Sequence, residues 1–417
     1  MTHPARVAPP AFLPLYLAFA AGYLLSYLFR TVNAVISPEL QRELGLAPGS
    51  LGLLTSAYFI AFAAMQIPVG MLLDRYGPRR VEPVLLLVAA AGALAFAFAE
   101  GLAGLTLARA LIGLGVAACL MAPLKAIAHW YPPERQASLA GWIMVSGALG
   151  ALAATTPLEI ALRFASWRAI FVALAAATAA VAAWIWWRVP DVPKPAAAPS
   201  FAVQWQGVTR VYAHPRFWWI APLAGFGMGS FMAVQGLWAV PWMLEVAGQT
   251  RASAAAHLLA MGVVMLVAYL FLGLFATALD RRGIGARHLF AAGFALNALA
   301  LALIVAGVPG GMLWWTLYGL GAAANILAFP VLNEGFPREL TARANTAANL
   351  VMFVGSFATQ WGIGLVVDAL RAAFGVDTAG GLRWAFALVL FVDLATLAWF
   401  AANWKRFAAH RREAQPA

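Results

Sequence analysis

Long apolar runs separated by short polar stretches dominate this sequence. A bilayer core about 30 Å thick needs roughly 20 apolar residues per helical crossing. The runs are continuously apolar instead of alternating, which predicts transmembrane α-helices and not barrel strands. We number the twelve runs as segments 1 to 12: 12–36, 50–73, 81–99, 103–128, 139–161, 168–188, 217–242, 256–278, 288–307, 312–332, 345–368 and 383–403.

A polar stretch rich in proline separates segment 6 from segment 7. Prolines stop a helix and favour an extended linker. The second part of the stretch mixes Trp205, Val208 and Tyr212 with Arg210, a composition that suits the headgroup layer. We therefore predict three parts: an N-terminal six-helix bundle over 1–188, a cytoplasmic linker with an interfacial helix over 189–215, and a C-terminal six-helix bundle with a cytoplasmic tail over 216–417.

The two halves resemble each other in sequence. The pattern Asp-Arg-x-Gly at residues 74–77 recurs at 280–283, which is 206 residues later. The same shift places Gly-Leu-Gly of residues 113–115 on residues 319–321, and a small insertion places Gly147 on Gly355. Several matches in one register indicate a duplication, which is typical of transporters whose halves face a central cavity.

Composition and charge agree with a membrane location. Hydrophobic residues make up 63% of the 417 residues and charged residues 10%, so this chain cannot cover its exterior with polar groups. The net charge is +11, and with a cytoplasmic N-terminus most of the 27 Lys and Arg residues fall on the inside. This distribution follows the positive-inside rule and predicts that both termini are cytoplasmic. It does not indicate a nucleic-acid partner.

The sequence gives no sign of a metal, a cofactor or an enzyme active site. Cys119 is the only cysteine, which excludes an intrachain disulfide and a cysteine-based metal cluster. Metal-ligand spacings, nucleophile elbows and phosphate loops are also missing. We therefore expect no cofactor and no catalysis.

Three motifs resemble those of the major facilitator superfamily. They are the loop Gly-Met-Leu-Leu-Asp-Arg-Tyr-Gly-Pro-Arg-Arg at 70–80, the stretch Arg-Ala-Leu-Ile-Gly-Leu-Gly at 109–115, and Ser-Trp-Arg-Ala-Ile-Phe at 166–171. The resemblance implies twelve transmembrane helices in two pseudo-symmetric six-helix bundles, and secondary transport by alternating access. It also implies that the loop latches the halves in the outward-open state, a role carried by Gly70, Asp74, Arg75, Gly77 and Arg80 and, in the repeat, by Asp280, Arg281 and Gly283. The alternative is that these charges only fix the topology.

Arg30 is the leading candidate for substrate contact. Charges inside a crossing are expensive and usually face a cavity or a partner. A polar stripe at helical spacing surrounds this residue in segment 1 and is formed by Tyr23, Ser26, Tyr27, Arg30 and Asn33. Residues 27–30 also resemble segment 1 of the organophosphate and organic-anion branches, in which the matching arginine binds the substrate anion. The alternative is an arginine that reaches the outer interface.

Two departures from those branches narrow the substrate class. Residues 229–241 of segment 7 contain no second basic residue, which argues against a doubly charged phosphate and for a monoanion such as a carboxylate. Residues 109–123 of segment 4 contain no acid, although carboxylate symporters of the sugar-acid type place one there. The usual route for proton coupling is therefore absent.

Further candidates have a structural alternative of similar weight. Gln235, Trp238, Asn325 and Gln360 could contact the substrate, or they could pack and bond between helices. Arg109, from the segment 4 motif, and Asp393, in the middle of segment 12, are the candidates for proton coupling; both could instead anchor neighbouring helices. Charges near segment ends are expected to be hydrated surface groups: Lys125, Glu159 and Asp368.

These observations predict a multi-pass transporter of the cell's inner (plasma) membrane, acting as a monomer. We expect proton-coupled uptake of a small, monocarboxylate-like organic anion, with protons and the lipid bilayer as the other partners. Proton-driven efflux of a drug or metabolite is the alternative, although Gly147–Gly150 lacks the following proline of the antiporter signature. A transporter-derived receptor or a membrane enzyme fits the sequence less well.

Overall fold

The computed structural model describes residues 12–191, 201–334, 336, 338–404 and 406, and this part of the chain is helical throughout, without strands. Ten of its helices are long and apolar enough to cross a membrane. Segments 4 and 5 are the remaining two, and each is divided into two shorter helices. The prediction of an all-α membrane protein is confirmed.

Most of the undivided helices are longer than the apolar runs that predicted them. The N-terminal half contains Phe12–Leu44, Pro48–Tyr76, Pro78–Phe98, Leu102–Gly115 with Met121–Trp130, Pro133–Ala153 with Thr156–Ala161, and Trp167–Arg188. After the linker helix Phe201–Tyr212, the C-terminal half contains Pro215–Val246, Arg251–Arg281, Ala286–Val305, Gly311–Ala322 continuing to Asn333, Arg338–Phe374 and Thr378–Ala402.

Proline and glycine set several of the helix boundaries. Pro48, Pro78 and Pro215 lie in the first turn of their helices, where the missing N–H is not needed. Gly77 and Gly283 both have positive φ, 78° and 83° respectively. Because these are the glycines of the repeated Asp-Arg-x-Gly pattern, the duplication extends to backbone conformation.

Segment 7 departs most from a regular α-helix. It contains three π-helical turns, at Leu223–Gly227, Val234–Trp238 and Trp242–Val246. Such turns are rare in proteins as a whole, and those that do occur are often found at functional sites. The middle turn packs against segment 1, where a Cβ on Gly236 would lie 3.6 Å from the carbonyl oxygen of Arg30.

The linker helix connects the two halves at one end of the bundle, which we call the linker end. Its Val208 and Val211 are buried in an apolar cluster that contains C-terminal-half residues and Ile67 of segment 2. The Tyr212 hydroxyl donates to the carbonyl of Ala347 at 3.1 Å, and burial raises the pKa of Tyr212 to about 12. One face of this helix therefore packs on protein, in addition to any headgroup contact.

The halves also meet at the opposite end of the bundle. The Gly49 N–H donates to Asp368 Oδ2 at 2.8 Å, and Arg251 forms an ion pair with Glu39. Asp368 is thus not an ordinary hydrated surface group, because it caps the N-terminus of segment 2 from the other half. Glu159 pairs with Arg163 on its own helix.

Close backbone contact between segments 2 and 11 depends on small residues. A Cβ on Gly364 would clash with the carbonyl oxygen of Pro48, and one on Gly52 would lie 2.8 Å from the carbonyl oxygen of Gln360. Glycines allow this approach because they have no side chain. The closed arrangement at this end therefore depends on them.

We expect Gly364→Val to open the end opposite the linker. Overpacking of this kind costs about 1–3 kcal/mol, which corresponds to at least a roughly fivefold change in the ratio of closed to open molecules. The measurement is the spin-label distance between exposed positions Glu100 and Val308, on opposite halves at that end. Gly362→Val is the matched control, because a Cβ there meets nothing within 4 Å. Identical distance distributions for the two variants would contradict the prediction.

Candidate functional site

Arg30 lies in an aromatic enclosure between the two halves. The side chain is buried, with 7% exposure. Its guanidinium carbon is 4.4 Å from the ring centroid of Tyr27, 5.3 Å from that of Phe62 and 5.5 Å from that of Phe353. Because these rings belong to segments 1, 2 and 11, the arginine does not extend to the outer interface. Its position favours the cavity interpretation.

Arg109 is a second buried cation near this enclosure. It is fully buried, its Nη1 donates to the Phe29 carbonyl at 2.8 Å, and its guanidinium carbon is 5.1 Å from the Tyr58 ring centroid. Tyr58 also lies beside Arg30, and its hydroxyl donates to the Ser26 carbonyl at 3.3 Å. One tyrosine of segment 2 therefore contacts both arginines.

Neither arginine forms an ion pair with a carboxylate of the described residues; the ion pairs found there involve other side chains. Arg30 Nε and Arg109 Nε and Nη2 are buried without a hydrogen-bond partner. Cation–π contacts contribute about 0.5–2 kcal/mol each. Such contacts offset part of the several kcal/mol that desolvation of a charge costs, but they leave these nitrogen atoms without a hydrogen-bond acceptor. An anion would supply the missing opposite charge, and a planar carboxylate matches a guanidinium fork.

Among the other polar residues of segment 1, Tyr23 and Asn33 have protein partners, whereas the buried Ser26 hydroxyl has none within the described residues. Tyr23 packs edge-on against Tyr27 at 5.1 Å, and its hydroxyl lies 3.8 Å from Met144 Sδ. Asn33 donates to Thr55 Oγ1 at 2.9 Å, and its Oδ1 remains without a partner. The predicted stripe therefore lies within the bundle, and of its members Tyr27 contacts Arg30 most directly.

Gln360 is the C-terminal-half candidate that the structure brings nearest to Arg30. Its amide is buried, and neither atom has a partner. Its Oε1 is 4.0 Å from a Cβ placed on Gly236, the position that adjoins the Arg30 backbone. Trp238 donates from Nε1 to the Gln360 carbonyl at 2.9 Å and so fixes segment 7 to segment 11. This amide can bond a hydroxyl or carboxylate oxygen.

Two other amide candidates have less evidence from geometry. Gln235 is half-buried on the π turn that also contains Trp238. Asn325 is buried in the 3₁₀ turn Ala323–Leu327, with both amide atoms unpartnered. No contact among the described residues connects either of them to Arg30, so their role in binding remains a prediction.

Asp393 lies away from the arginines, between segments 7 and 12. The Ser230 hydroxyl of segment 7 is 2.9 Å from its Oδ2 and 3.0 Å from its Oδ1. Both residues line an apolar cavity of about 180 Å³, which is bounded by exposed side chains such as Phe226 and Leu388 that face lipid. This arrangement favours the structural alternative for Asp393, a bond that joins two helices.

The loop at residues 70–80, which we call the signature loop, bonds to the N-terminal half and to the start of the linker. Asp74 forms an ion pair with Lys125 of segment 4, so Lys125 does not simply extend to the cytoplasm. Arg79 and Arg80 pair with Asp191 at 3.2 and 3.7 Å. The remaining predicted gate residues lie at the linker end as half-buried or exposed groups: Gly70, Arg75, Gly77, Asp280, Arg281 and Gly283. Within the described residues, no bond from this loop crosses to the other half, so their latch role stays a prediction.

The sequence patterns did not identify several residues that lie near the site. Tyr58, Phe62 and Phe353 were hidden among many aromatic residues of apolar segments. Glu82 is fully buried in segment 3. It could have been found, because an acid inside a predicted crossing is a costly feature in its own right.

The sequence profile of the Major Facilitator Superfamily matches residues 19–360 of this chain. The chain belongs to the Major Facilitator Superfamily. The resemblance in the three motifs is thereby confirmed, and the superfamily and the relatives below are transporters, not enzymes.

Two curated relatives transport organic acids. The probable sulfoacetate transporter of Cupriavidus necator is 29% identical over 154 residues, which cover 37% of this chain and 36% of that protein. The hexuronate transporter of Escherichia coli K12 is 30% identical over 151 residues, which cover 36% of this chain and 35% of that protein. The matches therefore span about a third of the length of these relatives.

A solved structure supports the superfamily fold over the whole chain. A bacterial homolog of the human lysosomal transporter Spinster, in an inward-facing and unoccupied conformation, has a TM-score of 0.77 at 18% identity. The match covers 97% of this chain and 99% of that one. At this identity the likeness shows the fold alone.

For Asp393, we expect Asp393→Asn to keep substrate accumulation near the wild-type level, because an amide oxygen can still accept from Ser230. Asp393→Leu should lower stability by about 0.5–1.5 kcal/mol, since the hydrogen bond between segments 7 and 12 is lost while Ser230 keeps the Gly227 carbonyl as a partner. Reconstituted uptake and thermal unfolding are the measurements. Loss of gradient-driven accumulation in the asparagine variant, with exchange intact, would instead assign proton coupling to this residue.

Proposed function

We propose that this protein is a secondary active transporter that takes up a small organic anion bearing a carboxylate, together with a proton, by alternating access. The observation that carries the proposal is the buried Arg30, which has no carboxylate partner among the described residues. A bound anion would supply the missing charge. The site lies between the halves, where a substrate can be reached from either side in turn.

The local chemistry supports an organic acid with one carboxylate at the arginine. Arg109 uses Nη1 on the Phe29 carbonyl, which leaves Arg30 as the more available cation. Tyr27, Phe62 and Phe353 shape an aromatic enclosure around it, and the unpartnered Gln360 amide can bond a hydroxyl group. The relatives support the same class, since hexuronate and sulfoacetate both carry a carboxylate.

The contacts between the halves support a cycle of two gates. In the present conformation Arg251–Glu39 and Gly49–Asp368 join the halves at the end that the charge distribution predicts to be extracellular. The signature loop bonds to its own half and to the start of the linker. We infer that the transporter alternates between this arrangement and one in which the loop, at the cytoplasmic linker end, joins the halves instead. Both termini are then cytoplasmic, and a monomer suffices.

The decisive variant is Arg30→Gln in the purified, reconstituted protein. Removing one partner of a buried charge pair costs about 2–5 kcal/mol, which corresponds to at least a roughly thirtyfold loss of affinity. Counterflow of radiolabelled D-glucuronate, and competition by sulfoacetate, should therefore be abolished, and Arg30→Lys should recover part of the activity because it keeps the charge but not the planar fork.

Arg42→Gln is the matched control, because Arg42 is exposed near the end of the same helix. It should exchange D-glucuronate at the wild-type rate. Counterflow at the wild-type rate in Arg30→Gln would refute the anion site. Outward movement of a hydrophobic cation such as ethidium against a proton gradient, with no exchange of organic acids, would support the efflux alternative.

A further inference from the structure

Glu82 is a buried acid in segment 3 that forms no ion pair within the described residues. The residue is fully buried. Segment 1 leaves space for the carboxyl group at Gly22, where an added Cβ would lie 2.7 Å from Oε1, and Ile185 of segment 6 adjoins the same position. A side chain this expensive to bury calls for a ligand or a function.

The break between the two helices of segment 4 lies next to Glu82. Residues 116–120 form turns between two helices, and the buried Cys119 thiol interacts with the Glu82 carboxyl group. The elements around Glu82 supply no paired cation: segment 1 contributes Gly22, segment 6 contributes Ile185, and segment 4 contributes Cys119. Arg30 acts electrostatically on Cys119. Arg79 and Arg80, on the same helix as Glu82, pair with Asp191 outside the membrane.

An ionised carboxylate in these surroundings would lack both water and a counterion, which costs several kcal/mol. The neutral acid avoids most of that cost. We propose that Glu82 is the proton-binding group of this transporter, and that its protonation is coupled to anion binding at Arg30. The coupling part rests on the proposed function, because it requires an anion at the arginine.

The axial separation along segment 1 between Arg30 and Gly22, the position beside Glu82, sets the order of magnitude of the coupling. Gly22 and Arg30 are eight residues apart on one helix, or about 12 Å along its axis. At an effective dielectric constant of about 20, two unit charges at that distance change each other's binding about tenfold. A negative Glu82 therefore weakens anion binding about tenfold, and by linkage a bound anion strengthens proton binding by the same factor.

With one proton site and one anion site, the proposed stoichiometry is one proton for each anion. A proton from solution adds to one carboxylate oxygen of Glu82, one anion binds at Arg30, and both leave on the other side. Segment 4 has no acid at the position expected for sugar-acid symporters, whereas Asp393 already has Ser230 as a partner. Glu82 lies about one turn from Pro78 at the linker end, where a proton can be released to the predicted cytoplasm.

The test compares Glu82→Gln with wild type in proteoliposomes, with D-glucuronate as the probe. Glutamine imitates the protonated acid, so we expect counterflow to persist and to lose its pH dependence. Accumulation driven by an inward proton gradient should fall to the equilibrium ratio. The matched control is Glu100→Gln, since Glu100 is exposed just beyond the other end of the same helix. Gradient-driven accumulation at the wild-type level in Glu82→Gln overturns the proposal.

Two further measurements separate this proposal from the proposed function. Glu82→Asp keeps a titratable group and should restore part of the accumulation with a shifted pH midpoint, which a purely structural role would not do. Glu82→Asp also provides the test if Glu82→Gln does not insert into the membrane. Infrared spectroscopy of the purified protein tests proton binding without any substrate.

A buried carboxylic-acid band should be present in wild type, and the Glu82 variants should remove or shift it. If the wild type shows this band but exchanges no organic acid, the proposed transport of organic acids fails and proton binding at Glu82 stands. If the band is unchanged in the variants, the proton site is overturned whatever the protein transports.

Discussion

A polar side chain inside a bilayer must find its partner within the protein or in a ligand, and the interior of this protein depends on that constraint. Near the ends of the bundle, charges find carboxylates: Arg251 with Glu39, and Lys125 with Asp74. Deeper inside, Asp393 has a serine. Within the described residues, Arg30 is enclosed by aromatic side chains, Glu82 lies against the Cys119 thiol, and neither forms an ion pair. The buried groups without an opposite charge are therefore the ones that a transported ion would stabilise most.

The same constraint determines what holds the two halves together. Lipid does not press apolar helices together, so contact between them depends on close packing and a few polar bonds. Segments 2 and 11 meet through Gly52 and Gly364, and Asp368 caps a helix of the other half. The contact between segments 2 and 11 therefore combines close backbone approach, a polar cap and aromatic packing of Phe62 on Phe353.

The fold could be predicted because each crossing of the lipid bilayer requires a long apolar run, and such runs are visible in a single sequence. The twelve runs, the repeat and the linker helix all follow from apolar length, glycine positions and proline. The breaks in segments 4 and 5 could not be predicted, since an apolar run does not reveal where its backbone turns. Arg30 stood out as a charge in the middle of a run, whereas Glu82 was overlooked near a predicted boundary. The partner of Asp368 could not be foreseen because it comes from the other half of the chain.

The three π turns of segment 7 give the two walls of the site different mechanical stiffness. Segment 1 is one continuous α-helix from Phe12 to Leu44, whereas segment 7 changes its hydrogen-bond pattern repeatedly between Leu223 and Val246. A helix interrupted in this way bends at lower energy, and kinks commonly occur at such turns. Changes in helix bending should then occur mainly in segment 7. Segment 1 should keep its shape and hold Arg30 in place. The cation would stay fixed in its bundle, and the opposite wall would flex around the cargo.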